Sequence, residues 1–197
     1  MASPGGTADS GSSAGLEADF GKLLISDNFT EQNCRDYPLT TCVRWLGWSV
    51  HQLSMREDDF REDESDLHRT LVEIRDNLVK LYRSVNRLCE GESCYLSVTL
   101  GPLPSAIAGY YNEFLAAYDG IRRILRQYIA YANHYEVKYA QGAIPDAEPE
   151  DIQEKLFANF ALLKEALVNL AEELNHQAAK PASPGPDAPD GPERQTA

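Results

Sequence analysis

The chain has no run of about 18 apolar residues, so no segment of it reads as a transmembrane helix. Basic residues are scarce. Lys and Arg number 18 against 31 Asp and Glu, which sets the net charge at −13. A general nucleic-acid binder needs a basic footprint, and anionic membrane surfaces attract basic segments, so both classes are excluded. A secretory leader is not expected. Residues 1–15 are mostly Ser, Gly and Ala, without a basic n-region or an apolar h-region.

Cysteine is present only as Cys34, Cys42, Cys89 and Cys94. Seven residues separate the first pair and four the second, whereas structural zinc sites usually use tight knuckles in both halves. Four free thiols in a reducing compartment are therefore expected. Catalytic signatures are missing too. The chain holds no Gly-x-Ser-x-Gly elbow, no Gly-x-Gly-x-x-Gly turn and no phosphate-binding loop. Glu173 and His176 spell Glu-x-x-His, but di-iron chemistry in a bundle needs a second copy, and there is none. No catalytic, cofactor-binding or metal-ligating residue is assigned, and an enzyme is not expected.

What remains is a chain with ordinary globular composition, 43% apolar and 25% charged. Proline is concentrated at the boundaries. After Pro38 the next are Pro102 and Pro104, then Pro145 and Pro149, then five from Pro181 onward. Helices are expected in the gaps, because proline is costly in a helix interior. The apolar seams agree. Leu39, Val43, Leu46, Val50 and Leu53 predict a helix over 39–55. Leu67, Leu71, Ile74, Leu78, Leu81, Val85 and Leu88 predict a second over 65–89, with Gly91 placed as its terminal glycine. A third, over 105–141, has its seam at Ile107, Tyr111, Phe114, Tyr118, Ile121, Leu125, Tyr128, Ala132, Tyr135 and Tyr139. A fourth, over 149–178, runs on Ile152, Leu156, Phe160, Leu163, Leu167, Leu170 and Leu174. Tyr95–Leu100 alternates and is read as an extended connector. The third helix is the longest, so it either projects beyond its neighbours or bends, with Gly120 the candidate position.

These patterns predict an all-α fold, an antiparallel four-helix bundle with a long third helix and disordered N- and C-terminal tails. Residues 1–33 are a mostly disordered tail with a short amphipathic segment at 16–25. Residues 34–179 form the bundle domain, and residues 180–197 a proline-rich tail. Charge is uneven along this plan. The runs 57–66 and 146–154 carry −11 between them and the tails −4, so the rest sums to +2. The first run is expected to be a solvated loop and the second a helix N-terminus.

Candidate contact residues lie off the seams. Trp45 and Trp48 are i, i+3 neighbours and share a face of the first helix. If nothing covers that face, the pair is a partner-binding signal. Arg122, Arg123 and Arg126 form a small basic cluster on the third helix. Seven of ten tyrosines fall between Tyr110 and Tyr139, five of them on the seam, so most are expected to fill the core. Asn28-Phe29-Thr30 is a glycosylation sequon, meaningful only in a secreted protein.

The expectation is a cytoplasmic, non-enzymatic adaptor or complex subunit, with the nucleus as the alternative compartment. Its partner would be another protein, helical in nature, and self-association is compatible with the same surface. Nucleic acid, membrane insertion and cofactors have no place in this reading. Two alternatives compete: a secreted four-helix signalling protein with disulfides, and a ligand-binding bundle with a tyrosine-lined interior.

Overall fold

The apolar seams fold as helices close to where their spacing places them. The structure, a computed structural model, describes residues 13–26, 30–62, 66–143 and 147–180. Among the described residues there are seven helices and no strand. They are α1 (Ser13–Ile25), α2 (Glu31–Asp36), α3 (Leu39–Glu62), α4 (Leu67–Cys89), α5 (Tyr95–Leu100), α6 (Ser105–Ala140) and α7 (Ile152–Ala179). Side chains cap several of them. Thr30 and Asn33 form a reciprocal capping box at α2, and Asp66 accepts the Arg69 N–H at the start of α4. Gly91 takes φ 88° just past α4, as a terminal glycine should. The sequon residues Asn28 and Phe29 lie outside the described residues, as do residues 1–12 and 181–197 of the two tails.

Besides α2, which no apolar seam predicts, two elements differ from the sequence expectation. Helix α3 runs on to Glu62, so Glu57–Glu62 of the acidic run is helical rather than a solvated loop. Phe60 explains the extension: it is buried and packs edge-on against Tyr128 and Phe157. Glu57 adds a hydrogen bond from Lys164 of α7 at 2.6 Å and one from Arg61 at 3.0 Å. Burial opposes the charge of Glu57, but these two cations outweigh it and hold the carboxyl below its ordinary value of 4.5.

The second correction concerns Tyr95–Leu100, which is helical rather than extended. Neighbours in a strand face opposite sides, yet Tyr95 and Leu96 are both fully buried. The Cys94 sulfur accepts the Ser97 N–H, the Ser97 hydroxyl donates to the Gly91 carbonyl, and Gly101 ends the turn at φ 75°. The Tyr95 hydroxyl then donates to the Tyr37 carbonyl at 2.7 Å, tying α5 to the α2–α3 junction. Burial raises the pKa of that hydroxyl.

Packing follows a circuit. Helix α7 lies against both α3 and α6, and α4 lies against α6. Helices α3 and α4 touch each other little. Helix α1 packs on both and fills the space between them. It is anchored by Phe20 and Leu24, both fully buried. The Phe20 ring sits 5.2 Å from Tyr95, 5.7 Å from Tyr37 and 6.0 Å from Trp45, centroid to centroid. Gly21 lets α1 approach closely, since a Cβ there would come within 3.0 Å of the Trp45 indole nitrogen. Arg87 of α4 donates to the Ser26 carbonyl at the end of α1.

Helix α6 is continuous through Gly120. The missing side chain there accommodates Asn159 of α7, whose amide oxygen a Cβ would strike. At 36 residues against 28 for α7, α6 is longer by about 12 Å. Up to Ala132 its seam is buried, with Tyr111 and Tyr118 half-buried, while Tyr135 and Tyr139, expected in the core, are exposed.

Candidate functional site: a groove between α1, α3 and α4

Trp45 and Trp48 share a face of α3 but differ in exposure. Trp45 is 2% exposed, held under Gly21 and Phe20 of α1, and meets the groove beside it only as part of its floor. Trp48, one turn on, is 37% exposed. It lines a groove of about 310 Å³ where three helices converge. Helix α1 contributes the positions of Gly21 and Ile25, α3 those of Trp48 and Gln52, and α4 those of Asn77 and Leu81.

The groove exists because the facing positions of α3 and α4 are small or polar. Ser49 and Ser84 are buried where large apolar side chains would seal the seam. Each hydroxyl turns back onto its own helix, Ser49 to the Trp45 carbonyl at 2.9 Å and Ser84 to the Lys80 carbonyl at 3.1 Å. Neither serine fills the gap. Ile25, 47% exposed, adds apolar surface at the α1 edge.

The rim is cationic. Among the described residues, Lys22, Arg56 and Lys80 line the groove and no carboxylate does. Lys22 and Arg56 have exposed i, i+3 pairs with Asp19 and Asp59, at 3.2 and 3.7 Å. Pairs so exposed are worth about 0–1 kcal/mol each and leave the cations free to exchange partners.

The arginine cluster of α6 divides. Arg123 turns away and pairs with Asp119 at 3.1 Å. Arg122 and Arg126 line a cleft of about 260 Å³ between α4 and α6, together with Arg75 of α4. Sequence reasoning did not find Arg75, because its membership depends on which helix packs beside α6. A trace was present: Arg75 lies next to Ile74 on the α4 seam, at the edge of the buried stripe.

The hydroxyls of Tyr95, Tyr111 and Tyr128 have partners within the chain. Tyr128 is buried and donates to Glu148 at 2.5 Å. Tyr111 donates to Asn86 at 2.7 Å, and burial, with Glu90 beside it, raises its pKa. Tyr118 stacks on Tyr82 with centroids 4.4 Å apart. The four cysteines are buried and free, and burial pushes the Cys42 and Cys89 thiols well up. Among the described residues no group of three or more His, Cys, Asp or Glu side chains could hold a metal ion. His176 is exposed, and Glu173 accepts a hydrogen bond from Gln177.

No family model, curated protein or solved structure matches this chain.

Proposed function

We propose that this protein is a non-enzymatic helical adaptor or complex subunit, and that it receives an amphipathic helix of a partner protein in the α1–α3–α4 groove. The observation that carries the reading is the exposed Trp48 in an apolar channel whose rim, among the described residues, holds three cations and no carboxylate. Helix-in-groove recognition needs an apolar channel bounded by two or three helices and a polar edge that fixes orientation. The occupant is therefore a helix with an apolar stripe and an acidic edge. Tryptophan supplies large apolar area with an N–H at its margin, as interface anchors commonly do.

The scaffold in this reading is an antiparallel bundle of α3, α4, α6 and α7, with α1 as a wedge at one end of the α3–α4 gap. The free, buried thiols support a cytoplasmic setting and weigh against the secreted, disulfide-bonded alternative.

The test uses a photo-crosslinking residue at Gln52 inside the groove and, as control, at Leu162, an exposed position on α7. The expected result is an adduct from Gln52 that maps to an acidic amphipathic helix and falls at least about tenfold with Trp48→Ala. Identical adducts from both positions, or adducts indifferent to Trp48→Ala, would contradict the reading.

A further inference from the structure

We infer that the cleft between α4 and α6 binds a phosphate monoester carried on an apolar group. This site is separate from the α1–α3–α4 groove and stands whether or not that groove receives a helix.

The charge arrangement is unusual for so acidic a chain. Arg75 comes from α4, and Arg122 and Arg126 come from successive turns of α6. Among the described residues, neither Arg122 nor Arg126 forms an ion pair with a carboxylate. Arg75 has only its sequence neighbour Asp76, at 2.9 Å, with both side chains about half exposed. Such a pair contributes about 0–1 kcal/mol and yields readily to a stronger anion. Arg123 of the same helix, by contrast, is occupied by Asp119.

Three guanidinium groups at one opening favour a dianion over a single carboxylate. Each is a planar fork of donors that can grip two oxygens, the geometry that phosphate recognition uses. Beneath them the cleft is apolar, floored by Leu78, Leu125 and Ile129. One wall is the Tyr118 ring, fixed by its stack on Tyr82. A bare phosphate would leave that floor uncovered, whereas a phosphate on an aromatic or short aliphatic group would fill it. The volume, about 260 Å³, is near the lower limit of small-molecule pockets. It suits one phosphorylated side chain of a protein or one small phosphate ester, not a dinucleotide.

The test is an NMR titration of the full chain with phenyl phosphate, inorganic phosphate and benzoate, following the guanidinium N–H signals. Phenyl phosphate is expected to saturate and to shift Arg75, Arg122 and Arg126 but not Arg123. Its affinity should exceed that of either partial probe by about tenfold. Arg122→Gln/Arg126→Gln should weaken it at least about tenfold, while Arg123→Gln leaves it within about twofold. Circular dichroism of each variant checks that the helices persist. A phosphotyrosyl peptide separates the sources. Binding about tenfold tighter than phenyl phosphate identifies a protein side chain, and equal binding identifies a small ester. Equal binding of phenyl phosphate to the wild type and the double variant would overturn the proposal. So would equal affinity for phenyl phosphate and inorganic phosphate, or shifts spread evenly over all arginines.

Discussion

The α6–α7 interface and the α3–α4 interface both join long helices, yet one closes and the other does not. On the closed side, Leu156, Leu163, Leu167, Leu170 and Leu174 of α7 are all buried, and Gly120 of α6 receives Asn159. On the open side, the facing positions are Ser49, Gln52, Asn77 and Ser84, and a separate helix occupies the space at one end. Large apolar side chains at seam positions draw helices together, while small or polar ones leave a channel that another element must fill. Helix α1 fills part of it. The remainder is the groove that exposes Trp48.

The largest effect should come from removing the wedge. Phe20→Ala empties a site enclosed by Tyr37, Trp45 and Tyr95, and should cost about 3–5 kcal/mol in denaturant unfolding. Trp45→Ala should cost a similar amount. A loss under about 1 kcal/mol for both would show that α1 is not part of the cooperative unit.

A smaller effect is expected at the α3–α7 contact, where Glu57 of α3 meets Lys164 of α7. Glu57→Gln should destabilise by about 2 kcal/mol at neutral pH. The pH dependence has a definite sign. The folded carboxyl is held below 4.5, so the unfolded chain takes up the proton first on acidification. The contribution is whole above about pH 4.5 and is lost as pH falls through the lower, folded value. The stability of the Gln variant should therefore vary less with pH across that window than that of the wild type.

The Gly120 contact gives a still smaller and more particular test. Gly120→Ala adds about 1 kcal/mol of helix propensity but displaces Asn159, so little net change is expected. Gly120→Ala/Asn159→Ala should be more stable than Gly120→Ala alone by about 1 kcal/mol, by thermal unfolding. If the two variants match, Asn159 does not clash with a side chain at position 120. Trp48→Ala should cost about 1 kcal/mol, well below Trp45→Ala, because over a third of its side chain already meets solvent.

The long helices were legible because their seams repeat over many turns, each step agreeing with the last. Leu67 through Leu88 marks α4 within two residues of its observed start. Short elements carry too few turns for that agreement. Tyr95–Leu100 alternates apolar and polar residues by chance of composition, and only the Cys94 cap and the burial of two adjacent residues reveal a helix. Tyr135 and Tyr139 continue the α6 seam in sequence but outlast the helices that could cover them. The Trp pair shows the same limit at the site. Trp45 and Trp48 are equivalent on a helical wheel, and what separates them is where Phe20 and Gly21 of α1 come to rest. Arg75 joins Arg122 and Arg126 only through the packing of α4 on α6.

The asymmetry of the two tryptophans is measured most directly by acrylamide quenching of the single-tryptophan proteins Trp45→Phe and Trp48→Phe. Trp48 should be quenched several-fold more readily than Trp45 in the free protein, and should fall to the Trp45 level once the partner helix is bound. Equal quenching of the two indoles in the free protein, or no protection of Trp48 on binding, would contradict a groove that opens on one side of α1 and is filled by a partner.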